Sequence, residues 1–123
     1  MRERVGLITD IDFWKGGAGS RVRSRSLVRY LTKYFDIAVF YSNKAKPSDI
    51  ALLKRLKLPL TYYNLNDLSD NLEIDFQSIF NDLSIRQCII RGWQNIDIGD
   101  YLPSDIRTFL ISMISVVKLK NPH

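Results

Sequence analysis

Apolar and polar positions alternate along this chain in two rhythms. Residues 4–9, 36–41, 60–63, 86–92 and 107–112 are short runs rich in Val, Ile, Leu, Phe and Tyr. Such runs read as buried strands, the last extending weakly to Val117. Residues 20–34 follow a helical period instead. Leu27, Val28, Leu31, Tyr34 and Phe35 share one face with Ser20 and Ser24, while Arg21, Arg25, Arg29 and Lys33 recur on the opposite side. Pro47 and Ser48 open a second helix running to Leu56, and Lys54, Arg55 and Lys57 suit the negative end of its dipole. A short third helix is expected from Asp75 or Phe76 to Leu83, behind an acidic, Asn-rich loop.

Strands alternating with helices at this spacing predict a parallel sheet wrapped by crossover helices. The fold class is α/β, a Rossmann-like three-layer sandwich with a mostly parallel five-stranded sheet. In such sheets ligands bind beyond the carboxyl ends of the strands, beside the first one. That rule selects three connections: 10–19, 41–46 and 92–98.

Composition narrows the class. The chain has 123 residues, 46% of them hydrophobic, which suits one domain with a real core. Cys88 and His123 are single residues of their kind, so neither a disulfide nor a zinc constellation is available and no metal site is expected. No apolar run has the length of a membrane span, and the apolar run after the basic start is too short for a signal peptide. The expected compartment is the cytoplasm. The formal charge is +5, and its location matters more than its size. Residues 1–34 hold eight basic and three acidic side chains; residues 35–123 hold ten of each. The surplus therefore surrounds one loop and one helix, where an anion would be met.

That loop carries Gly16, Gly17 and Gly19 directly before the helix at Ser20. Glycines let backbone N–H groups approach an anion, and the first helical turn adds partial positive charge. Lys15 and Arg21 flank it, so a phosphate or diphosphate is the natural ligand. The alternative is that the glycines only turn the backbone. The dinucleotide pattern G-x-G-x-x-G fails, since Val22 stands at its third glycine and Tyr41, Ser42 and Asn43 stand where an acidic ribose partner belongs. A P-loop fails because no Gly-Lys-Ser or Gly-Lys-Thr occurs.

The strand Val5–Asp10, the segment Gly16-Gly17-Ala18-Gly19-Ser20-Arg21, the Leu27 to Leu31 core and the run Phe35–Tyr41 resemble the opening of GT-B glycosyltransferases. The likeness is to the large retaining, family-four type that builds polysaccharides and lipopolysaccharides. Ile89-Ile90-Arg91-Gly92-Trp93, followed by 101–110, resembles the continuation of that N-terminal domain. The resemblance implies an acceptor-side domain (1–112) whose Gly16, Gly17 and Gly19 face the donor diphosphate, helped by Lys15 and Arg21. It implies no resident cofactor: a sugar nucleotide would be co-substrate and a glycan the acceptor. Such enzymes carry a second, donor-binding domain with paired glutamates, whereas this chain has only Glu3 and Glu73. Residues 113–123 are read as the tail of a truncated chain, inactive alone. A second GT-B domain or self-association would cover the apolar stretch 111–117. The alternative is a stand-alone Rossmann-like module for a phosphorylated ligand or anionic partner.

Other candidates carry two readings each. Asp10 and Asp12, at the mouth of the first strand, could meet an acceptor hydroxyl as general bases, or could cap the turn. Trp14, Phe13 and Trp93 could stack on a sugar ring, with Trp14 and Trp93 as acceptor-side candidates, or could pack a core or domain interface. Cys88 reads as a buried hydrophobe. The Arg21/Arg25/Arg29/Lys33 stripe faces solvent, an anionic membrane surface or nucleic acid. Nucleic acid is set aside, because the rest of the chain is charge-neutral and lacks a recognition motif. A lipid-linked acceptor would place the protein peripherally on the inner face of the membrane.

Overall fold

The structure is a computed structural model that describes residues 2–17, 19–42, 46–65, 68, 71–91, 100–111 and 116–120. Its strands are β1 (Arg4–Thr9), β2 (Asp36–Tyr41), β3 (Leu60–Asn64), β4 (Gln87–Arg91), β5 (Arg107–Ile111) and β6 (Val116–Lys120). Its helices are α1 (Ser20–Leu31), α2 (Pro47–Arg55) and α3 (Leu72–Leu83). The sheet order is β3-β2-β1-β4-β5-β6. The first five strands are parallel and β6 is antiparallel to β5. The architecture is the Rossmann-like α/β sandwich expected, with the order reversing between β1 and β4.

Strand alternation separates two cores. Val5, Leu7, Ile37, Val39, Tyr41 and Ile89 point to one face and pack with Val28 of α1 and Leu53 of α2. Ile8, Ala38, Phe40, Cys88, Ile90 and Leu110 point to the other and pack with Phe76 and Phe80 of α3. The uninterrupted apolar runs noted above are what a sheet buried on both faces requires. Cys88 is fully buried, and that burial raises its thiol pKa well above the usual range.

Three boundaries differ from expectation, each for a local reason. The fifth strand stops at Ile111 instead of extending to Val117, and residues 116–120 pair back along it as β6. The segment 113–123 therefore contributes an edge strand to the sheet. The third helix starts at Leu72, because the Asn71 side chain accepts from Ile74 N at 3.2 Å and Glu73 and Asp75 fill the first turn. α1 ends at Leu31, with Thr32 N bonded to Val28 O. Tyr34 consequently leaves the buried face it was assigned and is 59% exposed.

The arginine stripe is also divided. Arg21 and Arg25 are half-buried and bond inward, to Asp12 and to Gly16 O and Lys15 O. Arg29 and Lys33 are exposed. Among the described residues no helix is long and apolar enough to cross a membrane.

Candidate functional site

β1 ends at Thr9, whose hydroxyl accepts from Ile11 N at 3.0 Å and whose carbonyl accepts from Ser42 N at 3.0 Å. These bonds fix the start of the connection to α1 against the end of β2. Phe13 and Trp14 then turn into the core under α1 and α2. Trp14 is 3% exposed and stands edge-on to Phe13, Tyr41 and Tyr62. This corrects the expectation of Trp14 as an acceptor-side stacking platform: its ring is buried in the core among the protein's own aromatics. Trp93, the other such candidate, lies outside the described residues, as do the connection 92–98 and residues 43–45 of the 41–46 connection.

The Trp14 indole N–H donates to Asp49 Oδ1 at 2.9 Å. Asp49 sits at the third position of α2 and accepts from Lys46 N at 2.7 Å, which is why that helix starts where it does. Lys15 Nζ lies 3.4 Å from the same carboxylate and 3.3 Å from Asp12. Arg21 grips Asp12 with two bonds, Nε to Oδ1 at 2.7 Å and Nη2 to Oδ2 at 3.0 Å. Burial pushes both carboxyls up, but the donors outweigh it. Arg21 and Lys15 hold Asp12 below the ordinary carboxylate range, and Trp14, Lys46 N and Lys15 do the same for Asp49. Lys15 and Arg21 are raised in turn, chiefly by their bonds to Asp12.

This network alters the roles read from the sequence. Lys15 and Arg21 lie beside the glycines as expected, yet both already face carboxylates. A phosphate there would share them with Asp12 and Asp49. Asp12 accepts from two cations, which suits a loop strut better than a general base. Asp10 is half-buried at the end of β1. Asp49 was not anticipated; its signal was an acid three positions after Lys46, at a helix start marked by Pro47.

Beyond this anchored stretch the loop is open. Gly16, Gly17 and Gly19 are all exposed. A side chain added at Gly16 or Gly19 would meet nothing within 4 Å, so packing does not demand glycine there. Conformation demands it at Gly17 and Gly19, with φ of 125° and 69°. Gly19 is the N-cap of α1; no side chain caps the helix and no acidic residue lies in its first turn. An uncapped helix start behind an open glycine backbone, at the carboxyl edge of the sheet, suits an anion.

A second cation at this edge escaped the sequence reading. Arg91, the last residue of β4, is 5% exposed and lies beside Thr9 in register. Its Nε donates to Ser24 Oγ of α1 at 3.1 Å, and its Nη1 to Ile111 O of β5 at 3.1 Å. The only sequence signal was a charged residue closing an apolar strand. An apolar groove of about 440 Å³ lies elsewhere, between α2 and β3 along Leu53, Leu58 and Leu60, and none of these candidates lines it.

Fold and site together define a doubly wound α/β domain with an open glycine loop at its topological switch point. No family model, curated protein or solved structure matches the chain.

Proposed function

We propose that the chain is the acceptor-side domain of a GT-B glycosyltransferase of polysaccharide or lipopolysaccharide biosynthesis, with its glycine loop turned toward a donor diphosphate. One observation carries this reading: α1 starts uncapped and free of acids behind Gly16, Gly17 and Gly19, at the edge where the strand order reverses. The sugar nucleotide is then a co-substrate, and a donor-binding domain completes the enzyme. The exposed end of α1 and the turn after it, with Tyr30 and Tyr34 beside Arg29 and Lys33, support a peripheral position on an anionic membrane surface.

A stand-alone module for a phosphorylated ligand is the second reading. It is supported by the loop network, which ties the stretch before the glycines to α1 and α2 through Asp12, Lys15, Arg21 and Asp49.

Calorimetric titration with nucleoside diphosphates and inorganic pyrophosphate tests both. We expect saturable binding of a nucleoside diphosphate, tighter than pyrophosphate, and no sugar transfer by the isolated chain. Gly16→Asp adds a negative charge where there is room for it and should weaken binding about tenfold or more. Pyrophosphate binding with no gain from the nucleoside would move the conclusion to the stand-alone module. Absence of binding to either would end both readings, and robust turnover by the isolated chain would remove the need for a second domain.

A further inference from the structure

Buried cations in folded proteins are normally paired with carboxylates, because an unpaired charge taken out of water is strongly destabilising. Arg91 departs from this. It is buried, and among the described residues no carboxylate pairs with it. Two of its N–H groups reach neutral oxygens, Ser24 Oγ and Ile111 O. A guanidinium has five such groups, and the others meet no partner among the described residues. The Ser24 contact is fully buried, whereas the Ile111 contact is only partly so, which leaves the Nη end the more accessible one.

The surroundings deepen the imbalance. Burial lowers the proton affinity of Arg91, and the nearby charge of Arg23 lowers it further. The carboxylates of Asp12 and Asp49 instead engage Lys15 and Arg21, which are about 40% exposed and could rely on water. Among the described residues, the more deeply buried cation is the one with no carboxylate paired to it.

We propose that Arg91 is the anion-binding arginine of this domain, its guanidinium completing a site for a phosphoryl group at the carboxyl ends of β1 and β4. Ser24 of α1 lies against it. A guanidinium suits this task because its planar fork can present parallel N–H groups to two oxygens of one phosphoryl group. Ser24 and the Ile111 carbonyl hold the fork in place before the ligand arrives, which limits the ordering cost of binding. The proposal rests on the phosphate-binding reading above and assigns its counter-charge to Arg91 in place of Lys15 and Arg21.

The test uses the full 123-residue chain, inorganic pyrophosphate as probe, and malonate at matched ionic strength as a carboxylate control. Arg91→Met keeps an unbranched side chain and removes the charge. It should weaken pyrophosphate binding about tenfold or more, the loss expected of a charge-assisted partner. The melting temperature without ligand should stay level or rise, because an uncompensated buried charge has gone. Arg91→Lys keeps the charge but not the fork, and should fall between. Wild-type affinity together with a lowered melting temperature in Arg91→Met would make Arg91 a structural tie and overturn the proposal. Should that variant fail to fold, the Arg91 Nε–H resonance of the wild-type chain decides. It should shift saturably with pyrophosphate, and an unmoved resonance at saturation refutes the assignment. Equal affinity for malonate would overturn the phosphoryl class.

The two levels of the reading fail separately. Binding lost in Gly16→Asp but kept in Arg91→Met would refute the role of Arg91 and leave the glycine loop. Arg91-dependent pyrophosphate binding that nucleoside diphosphates do not improve would keep Arg91 and count against a sugar-nucleotide enzyme.

Discussion

The carboxyl edge of this sheet treats its cations in two opposite ways. In the loop after β1 and the first turn of α1, Lys15 and Arg21 are half-buried with water still at hand, and they engage two carboxylates between them. At the end of β4, Arg91 is buried and, among the described residues, bonds to a hydroxyl and a carbonyl. Exposed ion pairs contribute little to stability, so neutralisation is not what the loop network accomplishes. Its effect is positional: Trp14, Asp49 and Lys46 N form a buried hydrogen-bonded pin that fixes residues 13–15 to α2, and Asp12 ties that pin to α1. The loop is held and its glycines are presented. Arg91 shows the reverse arrangement, a charge held in place with no carboxylate paired to it among the described residues.

The largest effect expected from breaking this contrast is at Asp49. Asp49→Ala leaves the buried Trp14 N–H and the Lys46 N–H without their acceptor, and should destabilise the domain by about 3 kcal/mol. Asp49→Asn keeps an acceptor and should cost about 1 kcal/mol. Urea unfolding of both variants measures this. The informative comparison is with Arg91→Met: loss in one and none in the other is the sign pattern of a pinned loop beside an unmet cation. Equal losses would erase the distinction drawn here.

Trp14→Phe isolates one bond of the pin. It removes the donor to Asp49 while keeping an aromatic ring among Phe13, Tyr41 and Tyr62, and should cost about 1–2 kcal/mol. The intrinsic tryptophan fluorescence of wild type should be weakly quenched by acrylamide at Trp14. Ready quenching of that residue would mean the loop is not anchored.

These residues also mark where the sequence stopped being legible. β1 and β2, and the first residue of α1, follow from local pattern, because each is a contiguous apolar run or a helix behind glycines. Trp14 could not be placed that way: an aromatic in a loop carries no periodicity to say which way it turns. What decides is Asp49, 35 residues later, and that pairing exists only after β2 and α2 have been laid beside β1. Arg91 was hidden for the same reason, since its partners come from α1 and β5. Tyr34 was misplaced because a helical period extrapolates past the Thr32 turn that ends it. The glycine loop was legible as a loop, whereas the pairing of its flanking cations was not.

The pin should respond to acid in a defined direction. Both Asp12 and Asp49 are held below the ordinary value of 3.8, so their contribution is complete above about pH 4 to 5. It is lost as pH falls through their lower folded values, where the native carboxylates are forced to take protons. The melting temperature should be level from pH 7 to 5 and fall below pH 4. In Asp49→Asn this acid limb should be shallower, while in Arg91→Met it should keep its wild-type slope. An unchanged slope in Asp49→Asn would show that Asp49 is not among the groups driving the loss.

The smallest expected effect concerns a third arrangement, cations that are exposed and lie beside tyrosines. At the end of α1 and in the turn after it, Lys33 Nζ stands 6.0 Å from the centre of the Tyr30 ring, and Tyr30 and Tyr34 meet edge-on while 57% and 59% exposed. Amphipathic rings with adjacent basic groups suit the interface of an anionic bilayer. In sedimentation with vesicles, partition should rise with the fraction of anionic lipid and fall with added salt. Arg29→Glu and Lys33→Glu should each weaken it, by about fivefold or more at low salt, since one basic group near such a surface contributes roughly 1 kcal/mol. Tyr30→Ser should weaken it less and without changing the salt dependence, because the ring contributes area rather than charge. Equal partition onto neutral vesicles would show that the face is not a charge-reading surface, and the cations of α1 would then be solvated ones.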